Sequence, residues 1–180
     1  VCMAPHDVDG DGLVDFAIGF DWQPNNTTGG GKIGWVRQLA KDQWQYFDIA
    51  QEPTTHRMHW YQPSVGSPWS LIVAPLKGKG TAGPGFDQTG VRLMAYQPSI
   101  DKGAVSWTST LLTDELPVMH NFRPLDFDAD GVNDVITASF EGVHLLKGTS
   151  SLNELQRLGS GQETAAPARG SSEIAVGKLG

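Results

Sequence analysis

The stretch Asp7-Val8-Asp9-Gly10-Asp11-Gly12-Leu13-Val14-Asp15-Phe16-Ala17-Ile18-Gly19 carries aspartates at its first, third, fifth and ninth positions. A glycine follows the third aspartate and an apolar run follows the fourth. Asp126-Phe127-Asp128-Ala129-Asp130-Gly131-Val132-Asn133-Asp134-Val135-Ile136-Thr137-Ala138 overlays it without a gap. Carboxylates at alternate positions of a tight loop aim several oxygens at one point, and glycine permits the positive φ such a turn needs. Side-chain ligation of a hard cation is assigned to Asp7, Asp9, Asp11 and Asp15, and to Asp126, Asp128, Asp130 and Asp134. The carbonyls of Leu13 and Val132 are further expected ligands. Ligands this many and this flexible favour calcium (Ca2+) over magnesium. Without an ion the clustered carboxylates would repel one another, which makes a metal-free acidic turn the weaker reading.

The same opening occurs in the EF-hand, which closes with a bidentate Glu at its twelfth residue and is flanked by helices. Here apolar residues near Gly19 and Ala138 stand where that Glu would be, and the runs that follow are strand-like. Fainter copies support a repeat. Gln62, Ser64, Gly66 and Ser70 occupy the four aspartate positions ahead of Leu71-Ile72-Val73-Ala74, and Glu173 takes the fourth ahead of Ile174-Ala175-Val176-Gly177. Units are therefore expected to start near 7, 62, 126 and 165, a spacing of roughly 40 to 65 residues that suits propeller blades with insertions. Short β-branched and aromatic runs recur after each loop: Phe16 to Phe20, Lys32 to Val36 and Trp44 to Ile49; Leu71 to Ala74, Val91 to Tyr96 and Val105 to Thr110; Val135 to Ala138 and Val143 to Leu146. Gly, Pro, Asn and Asp separate them, as in a meander. Only Ser151 to Leu158 offers a helical turn or two. The segments Gln23 to Gly31 and Lys77 to Gln88 read as long loops on one face. The expectation is an all-β β-propeller occupying 1–180, with about three to four blades of a seven-bladed ring.

Composition agrees with that class. The 180 residues include 22 Gly and 11 Pro, with 39% hydrophobic and 18% charged residues, as in a turn-rich globular protein. A net charge of −7 supplies no basic stripe and argues against nucleic-acid binding. No run of 18 apolar residues predicts a membrane span. The single Cys2 is silent on redox setting. Beginning at Val1, directly ahead of a finished motif, the sequence reads as an excerpt of something longer, with the remaining blades or a second chain as partners. The calcium-type loops favour an extracellular or periplasmic setting.

The repeat frame also aligns two histidines, because His56 stands six residues before Gln62 and His120 six before Asp126. If the first strand of each unit lines a central axis, both imidazoles, with His59, Arg57 and Arg123 nearby, share one channel. Neutral imidazoles gathered there suit a zinc or magnesium ion (Zn2+ or Mg2+) or a proton transfer. His6 and His144 lack that register, and each is expected to play a supporting or structural part. Among the tryptophans, Trp22 and Trp60 are candidate sugar platforms, the rest serving as packing.

The aspartate loops resemble FG-GAP or VCBS repeats of integrin-type and bacterial propellers. A narrower resemblance rests on Gly30-Gly31-Lys32-Ile33-Gly34-Trp35, His56-Arg57-Met58, Val118-Met119-His120 and Gly170-Ser171-Ser172-Glu173-Ile174-Ala175-Val176-Gly177. These are similar in order and spacing to the propeller domain of the aldos-2-ulose dehydratase (1,5-anhydro-D-fructose dehydratase) family. That resemblance implies a seven-bladed ring followed by cupin-type domains, bound metal ions, and removal of water from a keto-sugar. It also implies that His56 and His120 face the central cavity with Arg57 beside them. The functional expectation is a carbohydrate-active carbon–oxygen lyase, with His56, His120 and Arg57 catalytic and a keto-sugar as substrate. The rival is a non-catalytic, calcium-stabilised adhesion or lectin-like module. A weaker rival is a uronate polysaccharide lyase, in which Arg57 or Arg123 would neutralise the carboxylate.

Overall fold

The computed structural model describes residues 2–101, 104–148, 152 and 154–177. Its regular structure is entirely β among those residues: three four-stranded antiparallel meanders, each in chain order. The first comprises β1 (Cys2–His6), β2 (Asp15–Phe20), β3 (Lys32–Ala40) and β4 (Gln43–Gln51). The second comprises β5 (Thr55–Tyr61), β6 (Ser70–Pro75), β7 (Leu93–Asp101) and β8 (Ala104–Thr113). The third comprises β9 (Met119–Leu125), β10 (Asp134–Ser139), β11 (Gly142–Lys147) and β12 (Glu154–Gly159). No helix of the described residues is long and apolar enough to cross a membrane.

Strand periodicity explains how the sheets stack. Side chains alternate across a sheet, so the continuous apolar run Leu71-Ile72-Val73-Ala74 of β6 must be covered on both faces. Leu71 and Val73, with Met94 and Tyr96 of β7, pack against Ala4, Ala17 and Ile33 of the first sheet. Ile72, Ala74 and Leu93 pack against Met119, Phe122, Val135 and Leu146 of the third. The second sheet is thus the middle layer. At one edge of the stack the three leading strands come together, β1 against β5 and β5 against β9. Backbone bonds stitch neighbouring sheets: Met119 N–H donates to the Leu76 carbonyl at 2.9 Å, and Asn133 N–H to that of Pro63 at 2.7 Å.

Several expectations are corrected. Each sheet begins one strand ahead of its loop, so β1, β5 and β9 belong with the strands that follow the aspartate turns. The run expected from Val91 enters its sheet only at Leu93, because Val91 N–H is committed to the Leu116 carbonyl outside the ladder. The helical turn expected across Ser151 to Leu158 is instead strand β12 from Glu154 onward, after a bend at Leu152; Ser151 and Asn153 lie outside the described residues. Its leucines at 152, 155 and 158 mimic a helical stripe, but pairing with β11 decides the conformation. Near 165 the chain makes a single isolated bridge, Gln162 to Gly170, and no strand runs through Ile174 to Gly177. Instead Ile174, Ala175 and Val176 lie over the outer face of the third sheet, beside Leu125, Ile136 and Val143.

Candidate functional site

The two aspartate loops join the first strand to the second in the outer pair of sheets, and they fold alike residue by residue. In the first, the Asp7 carboxylate accepts bonds from the N–H groups of Gly10 (2.8 Å), Asp11 (3.1 Å) and Gly12 (2.9 Å). In the second, Asp126 accepts from Asp130 (3.1 Å) and Gly131 (3.0 Å). Gly12 and Gly131 both have φ of 86°, which an L side chain rarely adopts. Asp7, Asp9 and Asp15 each place a carboxylate oxygen within 4.8 Å of the others, and so do Asp126, Asp128 and Asp130. These all-oxygen sets fit a hard divalent cation.

Asp11 and Asp134 stand outside those trios, and Asp134 shows what the fourth aspartate does besides. It is buried, taking N–H bonds from Phe127 at 3.2 Å and Gly148 at 2.6 Å. Its counterpart Asp15 takes them from Val8 at 3.1 Å and Gln38 at 2.8 Å. Each therefore ties the start of its loop to the end of the third strand. Burial pushes the Asp15 carboxyl up from its ordinary range, against the opposing pull of those backbone bonds. A basic residue also repeats. Arg37 pairs with Asp9 and Lys147 with Asp128, from equivalent ends of β3 and β11. An incoming cation would have to displace both side chains.

The worn copy at Gln62 to Ser70 keeps the turn without the carboxylates. Gln62 Nε2 donates to the Ser67 carbonyl at 2.8 Å, the Ser64 and Ser67 hydroxyls lie 2.9 Å apart, and Gly66 has φ of 87°. Hydrogen bonds internal to that turn do the work assigned to an ion in the other two.

The histidines lie at the other end of the leading strands. Six residues of strand separate His56 from Gln62, a run of about 20 Å. In the pairing of β5 with β6, Thr55 opposes Pro75 and Arg57 opposes Ala74, so His56 is the unpaired residue of a β-bulge. In the pairing of β9 with β10, Met119 opposes Ser139 and Asn121 opposes Ala138, which makes His120 the unpaired residue of a matching bulge. A bulge bends its strand and re-aims the extra side chain. Both imidazoles are half-buried, and both feel Arg57. Desolvation comes first in lowering His56, to about 4, with repulsion from Arg57 and His120 added. His120 is lowered by burial and then by Arg57. Trp22 lies 5.6 Å from His56 between ring centroids, on the same end of the molecule.

Two partners here were missed from sequence. Glu173 faces Arg57 at 3.7 Å and accepts a 2.7 Å bond from Asn121 Nδ2. The repeat frame had set Glu173 at a fourth-aspartate position. The structure instead sets the register through Ser171, whose N–H bonds the Ser139 carbonyl much as Met119 N–H bonds that of Leu76. By that register Glu173 falls level with Arg57 and Asn121.

Other candidates are dispersed. His59 stacks edge-on against Phe122 at 5.0 Å, its pKa lowered by burial and then by Arg123 and Arg57. Arg123 itself is exposed. His144 is buried on β11, and His6 lies between Trp60 and Trp69. Among the described residues, His56, His59 and His120 do not converge with a third ligand in the way the aspartates do. The loops Gln23 to Gly31 and Lys77 to Gln88 grip one another beside the histidine end. Thr27 Oγ1 donates to the Thr81 carbonyl at 2.7 Å, and Lys77 Nζ to that of Pro24 at 2.6 Å.

No family model matches this sequence, and no curated protein does.

Proposed function

We propose that the chain is part of an FG-GAP/VCBS-type β-propeller, braced by calcium at its aspartate loops, whose histidine end removes water from a keto-sugar. The observation that carries this reading is the matched pair of bulges, which turns His56 and His120 out of their ladders beside Arg57. Three stacked meanders with their leading strands gathered at one edge are what a propeller segment requires. Calcium would be held by Asp7, Asp9 and Asp15 in one loop and by Asp126, Asp128 and Asp130 in the other. There it would fix the first turn of the first and third sheets.

In the proposed reaction the Arg57 guanidinium polarises the keto oxygen and acidifies the adjacent C–H. The imidazole of His120 takes that proton, the electron pair forms the new C=C bond, and the C–O bond breaks. The imidazolium returns its proton to the departing hydroxide, so that water leaves and the base is regenerated. Among the described residues the histidine end assembles no trio of ligands for a zinc or magnesium ion, so Arg57 takes the part of the electrophile. Incubation with 1,5-anhydro-D-fructose, followed by ultraviolet absorbance of an enone product, tests the reading. Product formation lost in His120→Ala is the expected result; unchanged turnover in that variant overturns it.

One observation favours the second reading, a non-catalytic glycan- or protein-binding module. Burial, and then Arg57, lower His120 below the ordinary imidazole range, which weakens the proposed base as a proton acceptor. Saccharide binding with no enone product would select this alternative. The calcium brace is tested separately. Thermal unfolding with calcium and with a chelator should differ, and an identical midpoint in both would remove the brace from either reading.

A further inference from the structure

A hollow of about 370 Å³ opens at the aspartate-loop end, between the first and second sheets. His6, Trp60, Trp69, Pro68 and Pro98 form its apolar wall, and Asp7 to Gly10 form the facing rim. The three rings make one tilted surface, since His6 lies 5.0 Å from Trp60 and 4.4 Å from Trp69 between centroids. Trp60 is pinned, its indole N–H donating to the Ala4 carbonyl at 3.2 Å. Trp69 belongs to neither core cluster and is 37% exposed: beyond its contact with the His6 ring, a large aromatic surface is left open at the rim.

We propose that this hollow binds one neutral pyranosyl residue, its C–H face laid on Trp69 and its hydroxyls turned toward the loop. The volume falls in the range of small-ligand sites. An aromatic face offers dispersion and C–H contact to the apolar side of a sugar ring, with little entropy to lose because indole is rigid. The opposite rim supplies acceptors. Asp7 carries two carboxylate oxygens with about four acceptor positions between them, and with the loop ion-free its three backbone N–H bonds leave one position for a sugar hydroxyl, so calcium in the loop competes for the same acceptor. Asp7, Asp9 and Asp11 disfavour an anionic sugar. A quaternary ammonium ligand would need aromatic faces converging around it; here His6 packs against both indoles at tilts of 36° and 50°, forming one wall. Both walls come from sheets already packed on each other, so the hollow is independent of the histidine end and of the reaction proposed there.

Isothermal titration of the 180-residue chain with methyl pyranosides and linear trisaccharides of glucose, galactose and mannose tests the assignment, tetramethylammonium and glucuronate serving as controls. A neutral saccharide should bind, with affinity reduced about tenfold in Trp69→Ala, the loss of roughly one good stacking contact. Trp44→Ala, which alters an exposed indole elsewhere, should bind as the parent does. His120→Ala should bind normally too, which separates this site from the dehydration reading. The proposal is overturned by absence of saccharide binding, by equal affinity in Trp69→Ala, or by tighter binding of either control.

Discussion

His56 shows how one side chain links position to chemistry. It is held neutral because the bulge leaves it half out of water, and charging it there would also set it against the Arg57 guanidinium. Its folded pKa lies below its ordinary value of 6.5, so between about pH 6.5 and pH 4 the unfolded chain binds a proton that the folded chain refuses. Stability contributed by this group is complete above that window and falls as pH falls through it. Urea midpoints measured across pH 4 to 7 should therefore decline less steeply in His56→Gln than in the parent, and parallel curves would refute the assignment. Asp134 makes a different point. Its two oxygens hold Phe127 and Gly148 whether or not an ion is near. Asp134→Ala should cost about 3 kcal/mol in chelator, since two hydrogen bonds to a buried charged group are lost. Destabilisation appearing only with calcium present would reduce Asp134 to a ligand.

Turns and strands decide how much was legible in advance. The spacing of Asp7 to Asp15 and its overlay on Asp126 to Asp134 exposed the repeat, because a turn that gathers carboxylates leaves little freedom in sequence. Strands β2, β6 and β10, apolar and directly behind the loops, were equally plain. The bulges were not, since an extra residue in one strand leaves no compositional trace; it exists only relative to the partner strand. For the same reason Glu173 was set at the wrong level, and Arg37 and Lys147 went unnoticed as loop partners. The leucines of β12 carried a helical period that pairing overruled. Gly31 offers a test of the connections. Its φ is +67°, and a Cβ there would lie 1.8 Å from the Glu52 carbonyl oxygen, at the crossing where Gly31 also receives Glu52 N–H at 2.9 Å. Gly31→Ala should destabilise by about 3 kcal/mol, combining left-handed strain with overpacking. A denaturation midpoint within error of the parent would show that the crossing relaxes freely.

The stack is asymmetric in what it covers. The middle sheet is buried on both faces, and the third is partly roofed by Ile174 to Val176. The first sheet leaves Trp44 and Tyr46 nearly half exposed on its outer side, flanked by Phe16 and Phe20. An aromatic face of that kind recruits apolar partners. Sedimentation velocity should show concentration-dependent association of the isolated chain, weakened in Trp44→Glu. A monomer at every concentration, unchanged by that substitution, would mean the face is self-sufficient.

The paired bulges have a consequence for how such a protein changes over time. A residue lifted out of its ladder has no cross-strand partner, so strand pairing itself sets no side chain there. At His56 and His120 the architecture offers two unpaired positions where new side chains can be tried, while Asp134 holds the far end of the third sheet fixed and Asp15 that of the first. Divergence in activity is expected to concentrate at the unpaired positions and conservation at the buried aspartates.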